Sequence, residues 1–184
     1  MINSNIKAIT VIDDLFTVDE CNKLISFFKE NQEKCNYWPN TNTVFLPTVD
    51  WKDGKPTDEI ALKYSSRLLN MVSNVRPDRS HIELREIGTY MDMHFDTGTS
   101  FNTFTSVTYL NDDFEGGKTT IRPHGEKTDR FDTFIVPKVG RTVFYDGAYF
   151  EHAVSEVKGS NRYTMPMWYV PLPLDYPDSL KWWK

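Results

Sequence analysis

The stretch HAVSEVKGSNRYTMPMWYV, residues 152–170, contains two β-rich runs on either side of a Gly159-Ser160 turn. Similar short runs follow one another from residue 82 onward: IELREI, FTSVTYL, KTTIRP, FDTFIVP, RTVFYD, EHAVSEV and RYTMPMWYV. β-Branched and aromatic residues favour strands, and the Gly, Asn, Asp and Ser residues between the runs favour turns. Many short strands of this kind predict a β-sandwich or barrel rather than a parallel α/β sheet.

Two helices are predicted before these strands. The tetrapeptide Thr17-Val18-Asp19-Glu20 fits a capping box, and apolar residues then recur at helical spacing to about Lys34. A second helix is predicted from about Thr57, with acidic residues in its first turn. The intervening segment, residues 36–56, is rich in Asn, Thr and Pro and is predicted to be irregular. We therefore expect an α+β, mainly β fold, a jelly roll flanked by two N-terminal helices.

The chain is expected to form a single domain, residues 1–184, because it contains no internal repeat and no low-complexity linker. Within it we expect a helical support region at 1–79, a jelly-roll core at 80–171 and a C-terminal tail at 172–184. The tail ends in the pair Trp182-Trp183. Whether this pair covers the barrel or contacts a partner stays open, and the sequence predicts no oligomeric state.

The overall composition narrows the partners and the compartment. The formal charge of −5 argues against a nucleic-acid partner, which needs a basic surface. No apolar run of about 18 residues is present, so no membrane span is expected. The N-terminus lacks the basic and apolar regions of a signal peptide. Cys21 and Cys35 are expected to be reduced thiols of a cytoplasmic protein, with a disulfide between them left open.

Three residues form a predicted metal site. His94 and Asp96, within TYMDMHFDTGTS (89–100), are two positions apart and would share one face of a strand. His152 lies on the penultimate predicted strand and completes a set of two histidines and one carboxylate. Such a set is typical of non-haem Fe(II) oxygenases, although it could also hold a hydrolytic Zn²⁺. His81 and His124 are predicted to be surface polar residues.

Arg162 favours the Fe(II) oxygenase site over the hydrolytic Zn²⁺ site. It lies ten positions after His152, beyond a turn, so it can return alongside His152 inside the barrel. An arginine in a barrel is costly unless it meets an anion, and its planar group suits a carboxylate. A dicarboxylate co-substrate would supply that anion while its other end binds the metal. A hydrolytic zinc site has no need for this second anchor.

The order His94-x-Asp96, His152, Arg162 and Trp168 resembles the 2-oxoglutarate/Fe(II)-dependent dioxygenases, and more closely their prolyl 4-hydroxylase-like branch. The matching segments are VIDDLFTVDECNKL near the N-terminus, TYLNDDFEGG (108–117), VGRTVFYDG (139–147) and residues 152–170.

The resemblance implies a double-stranded β-helix, with Fe(II) bound by His94, Asp96 and His152. It also implies 2-oxoglutarate as co-substrate, O₂ as oxidant and, in some members, ascorbate as an additional reductant. Arg162 stands where the family pairs the distal carboxylate of 2-oxoglutarate, and Tyr109 matches a position whose hydroxyl can help to hold it. The retained carboxylate Asp96 favours hydroxylation over halogenation.

The resemblance further implies a substrate that is a proline-containing peptide or protein. Loops at 36–56 and 111–117 are candidates to cover it, and Trp38, Trp51 and Tyr149 are candidates to stack on a proline ring. A hydroxylase acting on a free amino acid or another small molecule is the main alternative. A zinc hydrolase and a binding module without metal are two further alternatives outside the family.

Overall fold

The computed structural model describes residues 1–96, 104–124 and 131–184. The two helices are α1 (Val18–Glu30) and α2 (Glu59–Met71). The strands among the described residues are β1 (Ile2–Asn3), β2 (Thr10–Ile12), β3 (Asn36–Trp38), β4 (Thr43–Val49), β5 (Val72–Ser73), β6 (Val75–Arg85), β7 (Met91–His94), β8 (Phe104–Tyr109), β9 (Glu115–Gly116), β10 (Thr119–Pro123), β11 (Thr133–Ile135), β12 (Thr142–Asp146), β13 (Phe150–Val154), β14 (Val157–Lys158) and β15 (Arg162–Pro171).

Both predicted helices are present, with shifted ends. The predicted capping box is confirmed, since Thr17 Oγ1 accepts from the Glu20 amide and a Glu20 carboxylate oxygen accepts from the Thr17 amide. Helix α1 ends at Glu30 rather than near Lys34, because the Asn31 side chain donates to the Phe27 carbonyl and a 3₁₀ turn follows. Helix α2 begins two residues later than predicted, with Asp58 as its N-cap.

Two antiparallel sheets form the body of the molecule. The larger has seven strands in the order β2-β12-β8-β15-β6-β4-β3, and the smaller has four in the order β11-β10-β13-β7 among the described residues. Apolar side chains of both sheets meet in one buried cluster: Tyr109, Ile121, Ile135, Val143, Tyr145 and Phe150 are among its members. The sheets therefore face each other, which confirms the predicted jelly roll.

A second core lies on the other side of the large sheet, where the helices pack. It contains Leu24 and Phe28 of α1, Leu68 of α2, and Met165 and Met167 of β15. Successive residues of a strand point to opposite faces, so the odd-numbered positions of β15 pack on the helices. Its even-numbered positions, Arg162, Thr164, Pro166 and Trp168, line a cavity between the sheets.

The prediction of an irregular segment at 36–56 is wrong. Strands β3 and β4 lie within it, and β4 pairs with β6 from Thr43 to Val49. Pro47 has no backbone N–H to donate. It lies beyond the stretch of β4 that pairs with β3, so no hydrogen bond to β3 is lost at this position. The region before residue 80 thus supplies strands to the large sheet as well as helices.

Two further observations concern the cysteines and the helices. Cys21 and Cys35 are free thiols, the first buried and the second partly exposed.

Within the described ranges, no helix has both the length and the apolar composition needed to cross a membrane.

Candidate active site

The two predicted histidine ligands lie on neighbouring strands of the small sheet. His94 is the last residue of β7, and His152 lies in β13 directly opposite it in the register. Their rings are 4.2 Å apart between centroids. Because the position of each ring is set by strand pairing, the pair is held by the fold rather than by a free loop.

Asp96 reaches the histidines by a different route from the predicted one. Strand β7 ends at His94, so Asp96 does not share a strand face with it, and the last four residues of the quoted stretch, 97–100, lie outside the described residues. Instead the Asp96 amide donates to the Gly147 carbonyl at 2.9 Å, and its Oδ2 accepts a 2.7 Å hydrogen bond from the Thr105 hydroxyl.

Gly147 is required at this point. A Cβ atom added to it would lie 2.7 Å from Asp96 Oδ2 and 2.5 Å from Thr105 Oγ1, closer than side chains can approach. The carboxylate is therefore fixed by one hydroxyl and by the absence of a side chain at position 147.

The three side chains form a compact set of donor atoms. Asp96 Oδ1 lies 3.5 Å from His152 Nε2 and 4.0 Å from His94 Nε2, and one donor atom from each residue lies within 4.8 Å of the others. His94 Nδ1 donates to the Asp92 carbonyl at 2.8 Å, which leaves Nε2 as the coordinating atom. Burial lowers the pKa of His152, and the Asp96 charge opposes the shift, so the imidazole is neutral as a ligand must be.

This donor set fits the iron of a non-haem oxygenase. Two imidazoles and one carboxylate occupy one side of a metal and leave the other side open for further ligands. His94, Asp96 and His152 all line the cavity between the sheets, which has a volume of about 270 Å³ and could hold such ligands. The same donors would also accept Zn²⁺. The rest of the cavity wall therefore bears on the choice of chemistry.

Arg162 lies in this wall and is almost fully buried, at 2% exposure. Its Nε donates to the Gly117 carbonyl at 3.2 Å, and its two terminal nitrogens contact the Thr164 and Thr119 hydroxyls at 3.2 and 3.5 Å. These partners are neutral. Gly117 has φ of +55°, and a Cβ there would lie 3.0 Å from Arg162 Cδ, so a glycine suits this approach.

A buried ion pair beside Arg162 was not predicted from the sequence. Arg85 lies opposite Arg162 in the register of β6 and β15, and its Nε is 2.5 Å from Glu83 Oε1. The same carboxylate oxygen is 3.8 Å from Arg162. Burial alone would raise the pKa of Glu83, but the charges of Arg85 and Arg162 and the contact with His81 together outweigh it and hold the pKa below its ordinary value. Two arginines and one carboxylate leave one positive charge over in this part of the cavity.

Tyr109 lies close to Arg162 but outside the cavity lining. Its ring is 5.2 Å from the Arg162 guanidinium, and its hydroxyl shares a 2.6 Å hydrogen bond with Thr119, which does line the cavity. The hydroxyl of Tyr109, which the sequence predicted to help hold the co-substrate, is therefore hydrogen-bonded to Thr119, and Thr119 contacts Arg162.

Tyr145 is a site residue that sequence reasoning missed. It lies on β12 opposite Thr105, lines the cavity, and places its ring 5.2 Å from that of His152. Burial raises the pKa of Tyr145 well above its ordinary value, and the negative charge of Asp96 adds to the shift. Val143 and Tyr145 pack in the cluster between the sheets and Phe144 packs on the helix side, but the run TVFYD has no apolar–polar alternation that could have predicted this.

The prediction that His81 is a surface residue is wrong. It is buried on β6, with its ring about 5 Å from those of Trp38, Phe45 and Trp168. The inward face of β6 carries polar residues because it borders the cavity. A polar residue on this strand therefore does not imply that its side chain is exposed to solvent. His124 is exposed as predicted.

Aromatic side chains lie at the cavity mouth. Trp38, 38% exposed, lines both the cavity and an adjoining groove, and Trp51, 65% exposed, lines the groove. The Arg79 guanidinium stacks on Trp168 at 4.4 Å. Tyr149 packs on Phe150 and Lys7 instead.

Comparisons with known proteins give one family match and several similar folds. Residues 81–170 match the family model described as the 2OG-Fe(II) oxygenase superfamily. No curated protein matches the sequence.

Among solved structures, a prolyl-4-hydroxylase from Pseudomonas putida is similar, with a TM-score of 0.72, 15% identity, and coverage of 92% of this chain and 95% of that one. A prolyl hydroxylase from Trichoplax adhaerens, in complex with a hypoxia inducible factor peptide fragment, has a TM-score of 0.68, 16% identity, and coverage of 91% and 85%. The non-haem α-ketoglutarate-dependent epimerase SnoN from nogalamycin biosynthesis has a TM-score of 0.70, 10% identity, and coverage of 90% and 78%.

At these identities the structural similarities establish the fold alone. The family match covers the segment that contains His94, Asp96, His152 and Arg162. Residues 81–170 of this chain therefore resemble the 2OG-Fe(II) oxygenase superfamily.

Proposed function

We propose that the protein is a 2-oxoglutarate- and O₂-dependent hydroxylase whose Fe(II) is held by His94, Asp96 and His152. When bound, the iron and 2-oxoglutarate supply the oxidative decarboxylation that activates O₂ for insertion into a C–H bond. The chain contributes a neutral His152, a carboxylate oriented by Thr105, and His94 with its Nε2 free for the metal.

The observation that carries this proposal is the environment of Arg162. Its guanidinium is buried, its direct hydrogen-bond partners are neutral oxygens, and one positive charge is left over beside Glu83 and Arg85. An unpaired buried charge is unfavourable, so a carboxylate in the cavity would stabilise it. In this proposal Arg162 and the Thr164 and Thr119 hydroxyls bind the distal carboxylate of 2-oxoglutarate. Tyr109 holds the Thr119 hydroxyl in place.

We further propose a peptidyl-prolyl substrate, as in a prolyl 4-hydroxylase. Trp38 and Trp168 would supply apolar ring faces beside the metal site, and the groove lined by Trp51 would receive the residues that flank the proline. Aromatic-lined grooves bind the extended conformation of proline-containing peptides. The similarity to two prolyl hydroxylase structures supports the same choice, and a free amino acid or other small molecule remains the alternative.

The test incubates the protein in air with Fe(II), 2-oxoglutarate and ascorbate, and with either proline-containing peptides or free proline. Mass spectrometry measures the addition of one oxygen atom, and succinate formation is measured in parallel. We expect hydroxylated peptide from the wild type and none from Asp96→Ala. Oxygen added only to the free amino acid would assign the small-molecule alternative. Hydrolytic activity with Zn²⁺ and no succinate with any substrate would contradict the oxygenase proposal.

We also propose that the protein acts in the cytoplasm, because both of its cysteines are free thiols.

A further inference from the structure

Tyr145 lines the same cavity as the proposed metal ligands and Arg162. Its ring packs against His152, on the metal side of the cavity. A molecule that joined the metal to Arg162 would occupy the cavity that Tyr145 lines.

The Tyr145 hydroxyl has no hydrogen-bond partner among the described residues, although it is fully buried. The other fully buried tyrosines differ in this respect. Tyr109 bonds to Thr119 at 2.6 Å, and Tyr169 bonds to Ser106 at 2.7 Å. A buried hydroxyl without a partner destabilises a protein, so such groups usually have a partner in the functional state.

A phenylalanine would fill the same space without this cost. The Tyr145 ring already packs against His152 and the apolar cluster between the sheets, and those contacts need no oxygen atom. The hydroxyl therefore has to be explained separately from the ring. Tyr145 lines a cavity whose proposed ligand carries two carboxylates, and a carboxylate oxygen is a strong hydrogen-bond acceptor.

We infer that Tyr145 binds the co-substrate, donating a hydrogen bond from its hydroxyl to a carboxylate oxygen of 2-oxoglutarate. This inference rests on the proposed function. It assigns a second tyrosine to the co-substrate site, on a different strand from Tyr109 and with direct access to the cavity.

The test compares the wild type with Tyr145→Phe and with a matched control, Tyr163→Phe. Tyr163 lies on the face of β15 that packs on the helices, where its ring contacts Phe28. The substitution Tyr163→Phe also removes a hydroxyl oxygen, but away from the cavity. Anaerobic Fe(II)-loaded protein is titrated with 2-oxoglutarate by calorimetry. Thermal unfolding is then measured with and without 2-oxoglutarate.

We expect Tyr145→Phe to weaken 2-oxoglutarate binding about 10- to 100-fold, the effect of losing a hydrogen bond to a charged group. Tyr163→Phe should change it by no more than about twofold. Fe(II) binding should be the same in all three proteins. Without 2-oxoglutarate, Tyr145→Phe should be at least as stable as the wild type, because an unpartnered hydroxyl has been removed. The stabilisation on adding 2-oxoglutarate should be smaller in this variant.

Equal 2-oxoglutarate affinity in Tyr145→Phe and the wild type would overturn the inference. Loss of Fe(II) binding in Tyr145→Phe would also overturn it, since the hydroxyl would then act on the metal site. If the wild type itself binds Fe(II) but no 2-oxoglutarate, the proposed function fails first, and this outcome is distinguishable because it does not involve the variant.

Discussion

Single side chains decide the charge of the cavity. Arg85 and Arg162 lie opposite each other on neighbouring strands, and Glu83 contacts both. Like charges this close would repel in a dry interior, so the carboxylate between them is what allows both to be buried. The remaining positive charge then suits an anion with one carboxylate at this end of the cavity.

Replacing Glu83 tests this balance. Glu83→Gln leaves Arg85 without its carboxylate, and we expect the free energy of unfolding to fall by about 3–5 kcal/mol, the cost of breaking a buried ion pair. The measurement is urea unfolding, with Glu86→Gln, an exposed neighbour on the same segment, as control. The double variant Glu83→Gln/Arg85→Met should recover part of the loss. Wild-type stability in Glu83→Gln would contradict the assigned pairing.

Gly147 gives a second prediction at the scale of one residue. In Gly147→Ala the new methyl group would overlap Asp96 Oδ2 and Thr105 Oγ1, so the carboxylate must move. We expect Fe(II) affinity, measured by anaerobic calorimetry, to fall about 10- to 100-fold, as when the support of a metal ligand is lost. The exposed neighbour provides the control, Ala148→Ser, which should bind Fe(II) normally. Unchanged affinity in Gly147→Ala would show that Asp96 is not held by this contact.

Residue type and spacing predicted His94, Asp96, His152 and Arg162 as site residues, and the structure places all four in the lining of one cavity. Residue type and spacing did not reveal Glu83, although that residue lies in a predicted strand. A buried ion pair of this kind requires the register of two strands, which depends on contacts distant in sequence.

At the scale of elements, strand alternation divides the large sheet between two tasks. The odd-numbered side chains of β15 pack on the helices, and the even-numbered side chains line the cavity. The sequence predicted β15 because several of its residues are β-branched or aromatic. It did not predict β3 and β4, because Asn, Thr and Pro in residues 36–56 resemble a loop. Tertiary pairing with β6 overrides that local preference.

The contact between the two helices gives a pH-dependent prediction. Arg67 of α2 donates to both carboxylate oxygens of Glu20 in α1, each at 2.7 Å, and lowers the pKa of Glu20 to about 2 from 4.5. A lowered carboxyl pKa stabilises the fold above the unfolded value, and this stabilisation is lost as the pH falls from about 4.5 towards 2. At pH 7 we expect Glu20→Gln to lower the free energy of unfolding by about 1 kcal/mol.

Denaturant unfolding at several pH values measures this effect. The difference between the wild type and Glu20→Gln should shrink steadily below pH 4.5 and be nearly gone at about pH 2. Asp19→Asn, at the exposed neighbouring position in the same helical turn, is the control. A difference that stays constant across this range would exclude the Glu20–Arg67 pair as its cause.

At the scale of the whole molecule, the C-terminal tail closes the core on the helix side. Trp183 is 7% exposed, its carbonyl accepts from the Asn70 side chain at 2.9 Å, and the Trp182 indole donates to the Gly54 carbonyl at 2.8 Å. The sequence left the role of this tail open, because two adjacent tryptophans suit a core and a partner surface equally well. The structure places Trp183 in the core cluster.

Trp183→Ala should therefore destabilise the whole fold. We expect the free energy of unfolding to fall by about 3–5 kcal/mol, as for other buried large aromatic residues. Leu180→Ala, at a half-exposed position in the same tail, should cost much less. Fluorescence-monitored urea unfolding compares the two. Equal, small effects would mean that the tail does not contribute to the core.

The proposed function requires one cavity that binds a metal at one end and a carboxylate at the other. The most direct test is an anaerobic titration of the apoprotein with Fe(II) and then 2-oxoglutarate, followed by the visible charge-transfer band of the iron chelate. We predict a band that saturates in the wild type and a loss of about 2–5 kcal/mol of 2-oxoglutarate binding energy in Arg162→Ala. Arg122→Ala, at a partly exposed position, should titrate like the wild type. Tight Zn²⁺ binding with no band on adding Fe(II) and 2-oxoglutarate would contradict the account.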